Sequence, residues 1–378
     1  MNTTQRNGIM QRWNVIQHEL MPELRDEVGA LTAKLAQVVH TLEWVRIEEF
    51  VSSSWGGYGR PEHDRGMLAN AFVAKAILGI STTAGLIERL AMDRALKRIC
   101  GFSMWRKLPS EATFSRAFAE FAEAGLAERT HAALVKETLG EQLIGHISRD
   151  GTAIESREKP AKRAKVSEPA VTKKRGRPCK GEIREAKLGK LEQQRGKPLA
   201  ELLEELPREC DRGSKCNAQG YKNSWNGYKL HIDTTDCGIP VSALLSSASM
   251  HDSLAAMPLS LMTAERVTNC YDLMDAAYCS SVLRDHSRSL GHVPLIDHNP
   301  RKGEKIEFTP SEAQRYKERS QAERINARLK DDYGGRYVRV RGNAKVMSHL
   351  MFGDAGVDGR AVDAITDVAA SRLTGKRQ

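Results

Sequence analysis

An all-helical region followed by a mixed α/β domain is the fold class that this sequence predicts. Three observations carry that reading: apolar residues at helical spacing up to about residue 140, strands alternating with helices from 221 onward, and an abrupt basic, apolar-poor stretch between them.

The bulk composition agrees with a soluble two-domain protein. At 378 residues the chain is long enough for two domains plus linkers, each able to bury its own core. Apolar residues make up 40% and charged residues 28%, ordinary for a globular chain. A net charge of +10 favours a polyanionic partner such as nucleic acid over a small neutral substrate. The seven cysteines are scattered with no CxxC pair and no zinc-finger spacing, which points to reduced thiols in the cytoplasm. The N-terminus lacks the apolar segment of a signal peptide. Met67 to Ile80, the longest apolar stretch, is too short to span a bilayer, so no membrane partner is expected.

Within residues 1–55, Met21, Leu24, Val28, Leu31, Leu35, Val38, Leu42 and Val45 step by alternating threes and fours. That stripe reads either as a dimerising coiled coil or as one long amphipathic helix packed on its own domain, with Gly29 weakening the coil. Residues 56–140 read as a helical domain and candidate DNA-binding region. Gly56 to Pro61 mark a loop, helical patterns follow at 64–79, 83–90 and 92–99, and Pro109-Ser110 opens a helix carrying Phe114, Phe118 and Phe121.

The composition then changes. Residues 156 to 190 hold thirteen Lys/Arg against four Glu, a net +9 that is nearly the whole excess of the chain. Sparse in apolar residues, the stretch reads as part of a basic insert at about 156–220. Inside it, Lys174-Arg175-Gly176-Arg177-Pro178 resembles an AT-hook, whose Arg175 and Arg177 would lie in the A·T minor groove; plain phosphate attraction is the alternative. The α/β domain spans 141–355. Strands are expected at 146–154, 228–234, 239–245, 270–276 and 293–296, with helices at 252–266 and 311–332 and a tail over 356–378.

The last long helix is the most informative element. Tyr316, Arg319, Glu323 and Lys330 fall within an arc of roughly 60° at 100° per residue. Ala322, Ile325 and Leu329 share a second arc suited to packing on a sheet. One face is therefore buried, and its neighbour shows one acid among two cations and an aromatic. A surface salt bridge between Arg319 and Glu323 is the simpler account of that pair.

The spacing Y-x2-R-x3-E-x6-K resembles the YREK signature of the DDE-type insertion-sequence transposases. That resemblance implies an RNase H-like catalytic domain with two aspartates upstream of the glutamate. The first matches Asp150, in Ser148-Arg149-Asp150-Gly151-Thr152, although an Asp-Gly pair by itself suggests a turn. The second matches Asp275, in Asp275-Ala276-Ala277-Tyr278, which resembles the family's D-x-G-Y with Ala277 for the usual Gly. Asp272 is a rival in the same strand, but a side-chain period of two places it on the other face. Trp225 to Lys229, His251-Asp252, Gly59-Arg60-Pro61 and Thr113 to Arg116 are further family-like fragments. The resemblance covers about 56–155 and 221–352.

What the resemblance implies is a bacterial transposase, associated with the nucleoid, that cuts and joins DNA. Asp150, Asp275 and Glu323 would be its catalytic and metal-holding residues, with Mg²⁺ as the cofactor and Mn²⁺ able to substitute. Tyr316, Arg319 and Lys330 would bind DNA. Its partners would be the terminal inverted repeats of its element and target DNA, held by a homodimer that synapses two ends. A related nuclease without strand transfer, and a non-catalytic DNA-binding protein derived from a transposase, are the alternatives.

Overall fold

The computed structural model describes residues 3–52, 62–161, 188–216, 219–300 and 304–356. Arg175, Arg177, Gly59-Arg60-Pro61 and nearly all of the 356–378 tail lie outside them.

Eight helices come first: α1 (Thr3–Val15), α2 (Met21–Val28), α3 (Ala33–Val45), α4 (Arg65–Ile77), α5 (Thr83–Met92), α6 (Arg94–Ile99), α7 (Glu111–Glu123) and α8 (Leu126–Leu139). Capping explains several of their starts. Side chains of Thr32, Asp64, Thr82, Asp93 and Ser110 each accept a hydrogen bond from a backbone N–H in the first turn of the helix that follows. The heptad stripe does not form one helix. Gly29 adopts φ 85° and ends α2, because a residue without a Cβ reaches that conformation at little cost. Leu35, Val38, Leu42 and Val45 then pack into the chain's own core instead of forming an exposed seam.

The sheet contains β1 (Leu143–Glu155), β2 (Asp211–Cys216), β3 (Lys222–Thr235), β4 (Pro240–Ser247), β5 (Thr268–Met274) and β6 (Val293–Ile296). Between β1 and β2 lie two short helices, α9 (Lys190–Gln194) and α10 (Leu199–Glu204). Later come α11 (Ser253–Ala264), α12 (Ser281–Ser289), α13 (Pro310–Tyr316) and α14 (Ser320–Asp331), and a closing helix over 343–356. The strand order is β2-β3-β1-β5-β6, with β4 also paired to β3. β1 is antiparallel to β3 and parallel to β5; β3 and β4 are antiparallel, and β5 and β6 parallel.

Helices cover both faces. On one, Ala255 and Leu259 of α11 pack on Leu244. On the other, Ile325 and Leu329 of α14 share a core with Ile154, Tyr228, Leu230 and Ile232. That second core continues without a break into α3 to α8, through Phe72, Phe114 and Phe118. The main core is therefore shared between the helical region and the sheet, in place of the two separate cores expected, and only a small cluster of Ile16, Met21 and Val39 is confined to the helices among the described residues. Part of the expected insert also belongs to the sheet: β2 pairs with Lys222 to Gly227 of β3, and α10 packs Leu202 against Met257 and Met274.

A buried pair ties α8 to the closing helix. His131 Nε2 lies 3.3 Å from Asp354 Oδ2, with both side chains sealed from water. Burial pushes the Asp354 carboxyl up to about 7 and the His131 imidazole down to about 3. The raised carboxyl gives stability that is full below its unfolded pKa near 4 and is lost as pH rises toward 7. The lowered imidazole gives stability that is full above its unfolded pKa near 6.5 and is lost as pH falls toward 3. Across the shared window the two slopes cancel. His131→Leu should unmask the carboxyl, so between about pH 4 and 7 the variant's urea midpoint should fall with rising pH relative to that of the wild type. Parallel profiles for the two proteins would show that Asp354 is not holding a proton.

Candidate active site

Register places the first two carboxylates. The last parallel pair between β1 and β5 is Ser148 with Leu273, so Asp150 and Asp275 each follow two residues beyond the same rung, Asp150 still in β1 and Asp275 just past the end of β5. Asp272 pairs with Ile147 on the other side of the pleat. There it is buried, its carboxylate accepting from Asn269 at 3.0 Å and lying 3.2 Å from His292 Nδ1. Period-two alternation thus separates the two candidates as expected.

Local chemistry then sets each side chain. β5 ends at Met274, and Asp275 caps a short 3-10 turn, its Oδ1 accepting from the Ala277 N–H at 2.9 Å. Ala277 has no positive φ, so an Ala there in place of Gly is unstrained. Gly151 lies inside β1 and makes no turn. A Cβ on it would stand 2.8 Å from Asp252 Oδ1 and 3.0 Å from His231 Nδ1, and close packing explains the Asp-Gly pair. The helix expected over 311–332 breaks into α13, one 3-10 turn over Lys317–Arg319, and α14.

That turn aims Arg319 into the gap between strand ends and helix. Its Nη1 donates to Glu323 Oε1 at 2.7 Å, and its Nη2 lies 3.6 Å from Asp275 Oδ2 and 3.8 Å from Asp150 Oδ1. One guanidinium therefore touches all three predicted acids. Side-chain exposure rises from 19% at Asp150 through 36% at Asp275 to 57% at Glu323, so the cluster opens to solvent from the Glu323 side. Burial raises the Asp150 pKa; Arg319 opposes the rise, Asp275 adds to it, and a 2.9 Å hydrogen bond from Asn326 Nδ2 to Oδ2 opposes it again.

The remaining signature residues sit nearby with different tasks. Lys330 Nζ donates to Thr152 Oγ1 at 2.6 Å, two residues along β1 from Asp150. Tyr316 was expected to contact DNA, but its hydroxyl donates to the Met274 carbonyl at 3.1 Å and its ring packs on Phe308. It ties α13 to the end of the strand that delivers Asp275.

Sequence reasoning gave no role to several neighbours. Asn326, one turn from Glu323 on the same face, was detectable by its i+3 spacing. Lys229 Nζ bonds Asp252 Oδ1 at 3.0 Å and the Met250 carbonyl at 2.8 Å, a contact no spacing rule could supply. Tyr278 is fully buried with a hydroxyl that has no hydrogen-bond partner among the described residues, its pKa driven far up by burial and then by Asp252, Asp150 and Asp275.

Comparison with known families follows the same division of the chain. Residues 22–120 match the family model described as Transposase domain (DUF772), and residues 199–353 match the Transposase DDE domain. The chain belongs to the DDE-type insertion-sequence transposases. No curated protein and no solved structure matches it. The DDE match contains Asp275 and Glu323, whereas Asp150 of this transposase lies between the two matched segments. It also starts inside the stretch expected to be an insert, in agreement with the pairing of β2.

The transposase's three acids offer only hard oxygen donors, the chemistry that Mg²⁺ prefers. Among the described residues, no three of His, Cys, Asp or Glu are placed to hold one ion. The positive charge between the carboxylates is the Arg319 guanidinium. The donor set therefore fits a divalent cation by its chemistry, and Arg319 marks where positive charge is wanted.

Proposed function

We propose that this transposase binds the ends of its mobile element, cleaves phosphodiester bonds and joins 3′ ends to target DNA, using Asp150, Asp275 and Glu323 as its catalytic acids. The observation that carries this is the single guanidinium shared by three carboxylates from two neighbouring strands and one helix. Burying acids together is costly unless a cation is held among them. The order and directions of β4-β3-β1-β5-β6 support an RNase H-like catalytic domain, with the acids at the ends where β1 and β5 run parallel.

Divalent ions such as Mg²⁺, bound by the three acids, would activate the attacking oxygen and stabilise the leaving one. Asp150, the deepest acid, Asp275 and the open Glu323 would together hold the ions. Asn326 orients Asp150 through its hydrogen bond. Arg319, released from the acids when ions bind, would turn its fork to a DNA phosphate, and Lys330 would supply a second positive charge beside Thr152. Tyr316 holds strand end and helix in register. Helices α4 to α8 are proposed as the end-binding region, and a dimer as the synaptic form.

The test is a plasmid carrying the DNA that flanks this gene, incubated with protein and Mg²⁺, and a second reaction supplying pre-cut ends with target DNA. Excision together with joining supports the transposase reading. Cutting without joining leaves a nuclease, and binding indifferent to Mg²⁺ with no cutting leaves a DNA-binding protein.

A further inference from the structure

A cavity of about 400 Å³ lies where the helical region meets the far end of β1. Its lining brings together five cations from three stretches of chain: Lys75 on α4, Arg157 just beyond β1, and Arg339, Arg341 and Lys345, the first two before the closing helix and the last in its first turn. Among the described residues, no carboxylate lines it. The floor is formed by the buried rings of Phe72 and Phe118 and by His349, whose Nε2 is 3.1 Å from the Gly334 carbonyl oxygen.

Lys75 is the decisive residue. It is 8% exposed, lines this cavity, and its side chain has no hydrogen-bond or ion-pair partner among the described residues. A buried ammonium without a partner is costly, and the fold keeps this one at the base of a pocket rimmed by further positive charge. Arg157, Arg339, Arg341 and Lys345 are exposed and likewise form no ion pair among the described residues. Glu158, the nearest acid in sequence, is already engaged: it accepts from the Gly342 N–H and, at 3.0 Å, from the Tyr228 hydroxyl. Those bonds fasten the 339–345 segment to the end of β1. Burial lowers the Lys75 pKa to about 8, leaving it charged at neutral pH and ready to gain from an anion.

We propose that this pocket seats a phosphate of the DNA backbone, as an anchor separate from the acidic cluster. Arg forks match phosphate oxygens, and an apolar floor strengthens the attraction by excluding water. Arg157 lies seven residues along from Asp150, roughly 23 Å at strand rise. A duplex covers that distance in about seven base pairs at about 3.4 Å each, so one DNA molecule can engage both sites. The inference rests on the reading of this chain as a DNA-handling transposase, and it adds where the duplex is held.

The test measures anisotropy of a short labelled duplex of arbitrary sequence in EDTA, across a salt series, with inorganic phosphate and triphosphate as competitors. Arg339→Gln combined with Arg341→Gln should weaken binding about tenfold and flatten the log–log salt slope by roughly one to two. Lys75→Met should flatten it by roughly one, and Arg25→Gln, an exposed cation elsewhere, should change neither beyond a few tenths in slope. Wild-type affinity and slope in the double variant, whose changes lie on the surface, would overturn the proposal even if Lys75→Met fails to fold. Triphosphate binding that Lys75→Met abolishes, with duplex affinity untouched, would assign the pocket to a free polyphosphate and overturn the DNA assignment. All arms omit divalent ions, so failure here leaves the acidic cluster standing, and cleavage by an Asp150→Ala protein would sink that cluster without touching this pocket.

Discussion

Asp150→Ala, Asp275→Ala and Glu323→Ala should each lower Mg²⁺-dependent cleavage by a factor on the order of a thousand or more, since on the proposed reading metal-holding acids would supply several kcal/mol of transition-state stabilisation. Duplex affinity in EDTA should stay within about twofold, because phosphate binding depends on cations and these are acids. Stability should move the other way from activity. Asp150 is an acid whose charged form is penalised by burial, so its removal costs little or stabilises the ion-free protein. Thermal unfolding checks this directly: Mg²⁺ should raise the wild-type midpoint, by ligand linkage, and should not raise that of the variants. Cleavage at wild-type rate by any of the three would remove that residue from the catalytic set. An equal Mg²⁺ shift in all four proteins would place the ion elsewhere.

Arg149→Met should destabilise the fold by about 3–5 kcal/mol, the usual cost of stripping one partner from a buried ion pair. Arg149 is 2% exposed, one position before Asp150, and reaches the opposite face of the sheet. Its Nε and Nη2 donate to the two Asp233 oxygens at 2.8 and 2.6 Å, and Thr263 of α11 donates to Asp233 at 2.7 Å. With the guanidinium gone, Asp233 remains buried with the Thr263 hydroxyl but without its cation. Adding Asp233→Leu should recover most of the loss, because the pair's desolvation is then removed along with its attraction. Urea midpoints of the two single variants and the double variant decide this. If the double variant is as unstable as the sum of the singles, packing around Arg149 matters more than its charge.

The same one-residue alternation puts a structural ion pair and a proposed catalytic acid next to each other. Arg149 points to α11 and Asp150 to α14, so destabilising the first will also disturb the second. Activity loss in Arg149→Met is therefore expected but does not make Arg149 catalytic.

Much of this was legible because it is written in local periodicity. Offsets of 3, 7 and 14 residues put Arg319, Glu323 and Lys330 on one helix face, and the 3-10 turn did not move them off it. Alternation by two set Asp275 against Asp272, and the parallel register of β1 with β5 agreed. The apolar run of β6 was found at its bounds, and β1, β3, β4 and β5 were found with ends displaced by up to six residues. Asp211 to Cys216 was not, because Asp-Arg-Gly-Ser-Lys-Cys has little intrinsic strand preference and is extended only by pairing with β3.

By itself, then, the sequence determined the family, the sheet's main strands and the acids worth testing, since each depends on spacing within one element. Tertiary structure alone decided what those residues meet. It turned Tyr316 to a strand end, gave Asp150 its Asn326 partner, merged the helical region and the sheet into one core, and gathered Lys75 with Arg157 and Arg339 across more than 260 positions of chain. Contacts of that range depend on how layers pack against one another, and no local pattern of residues encodes the distance between two of them.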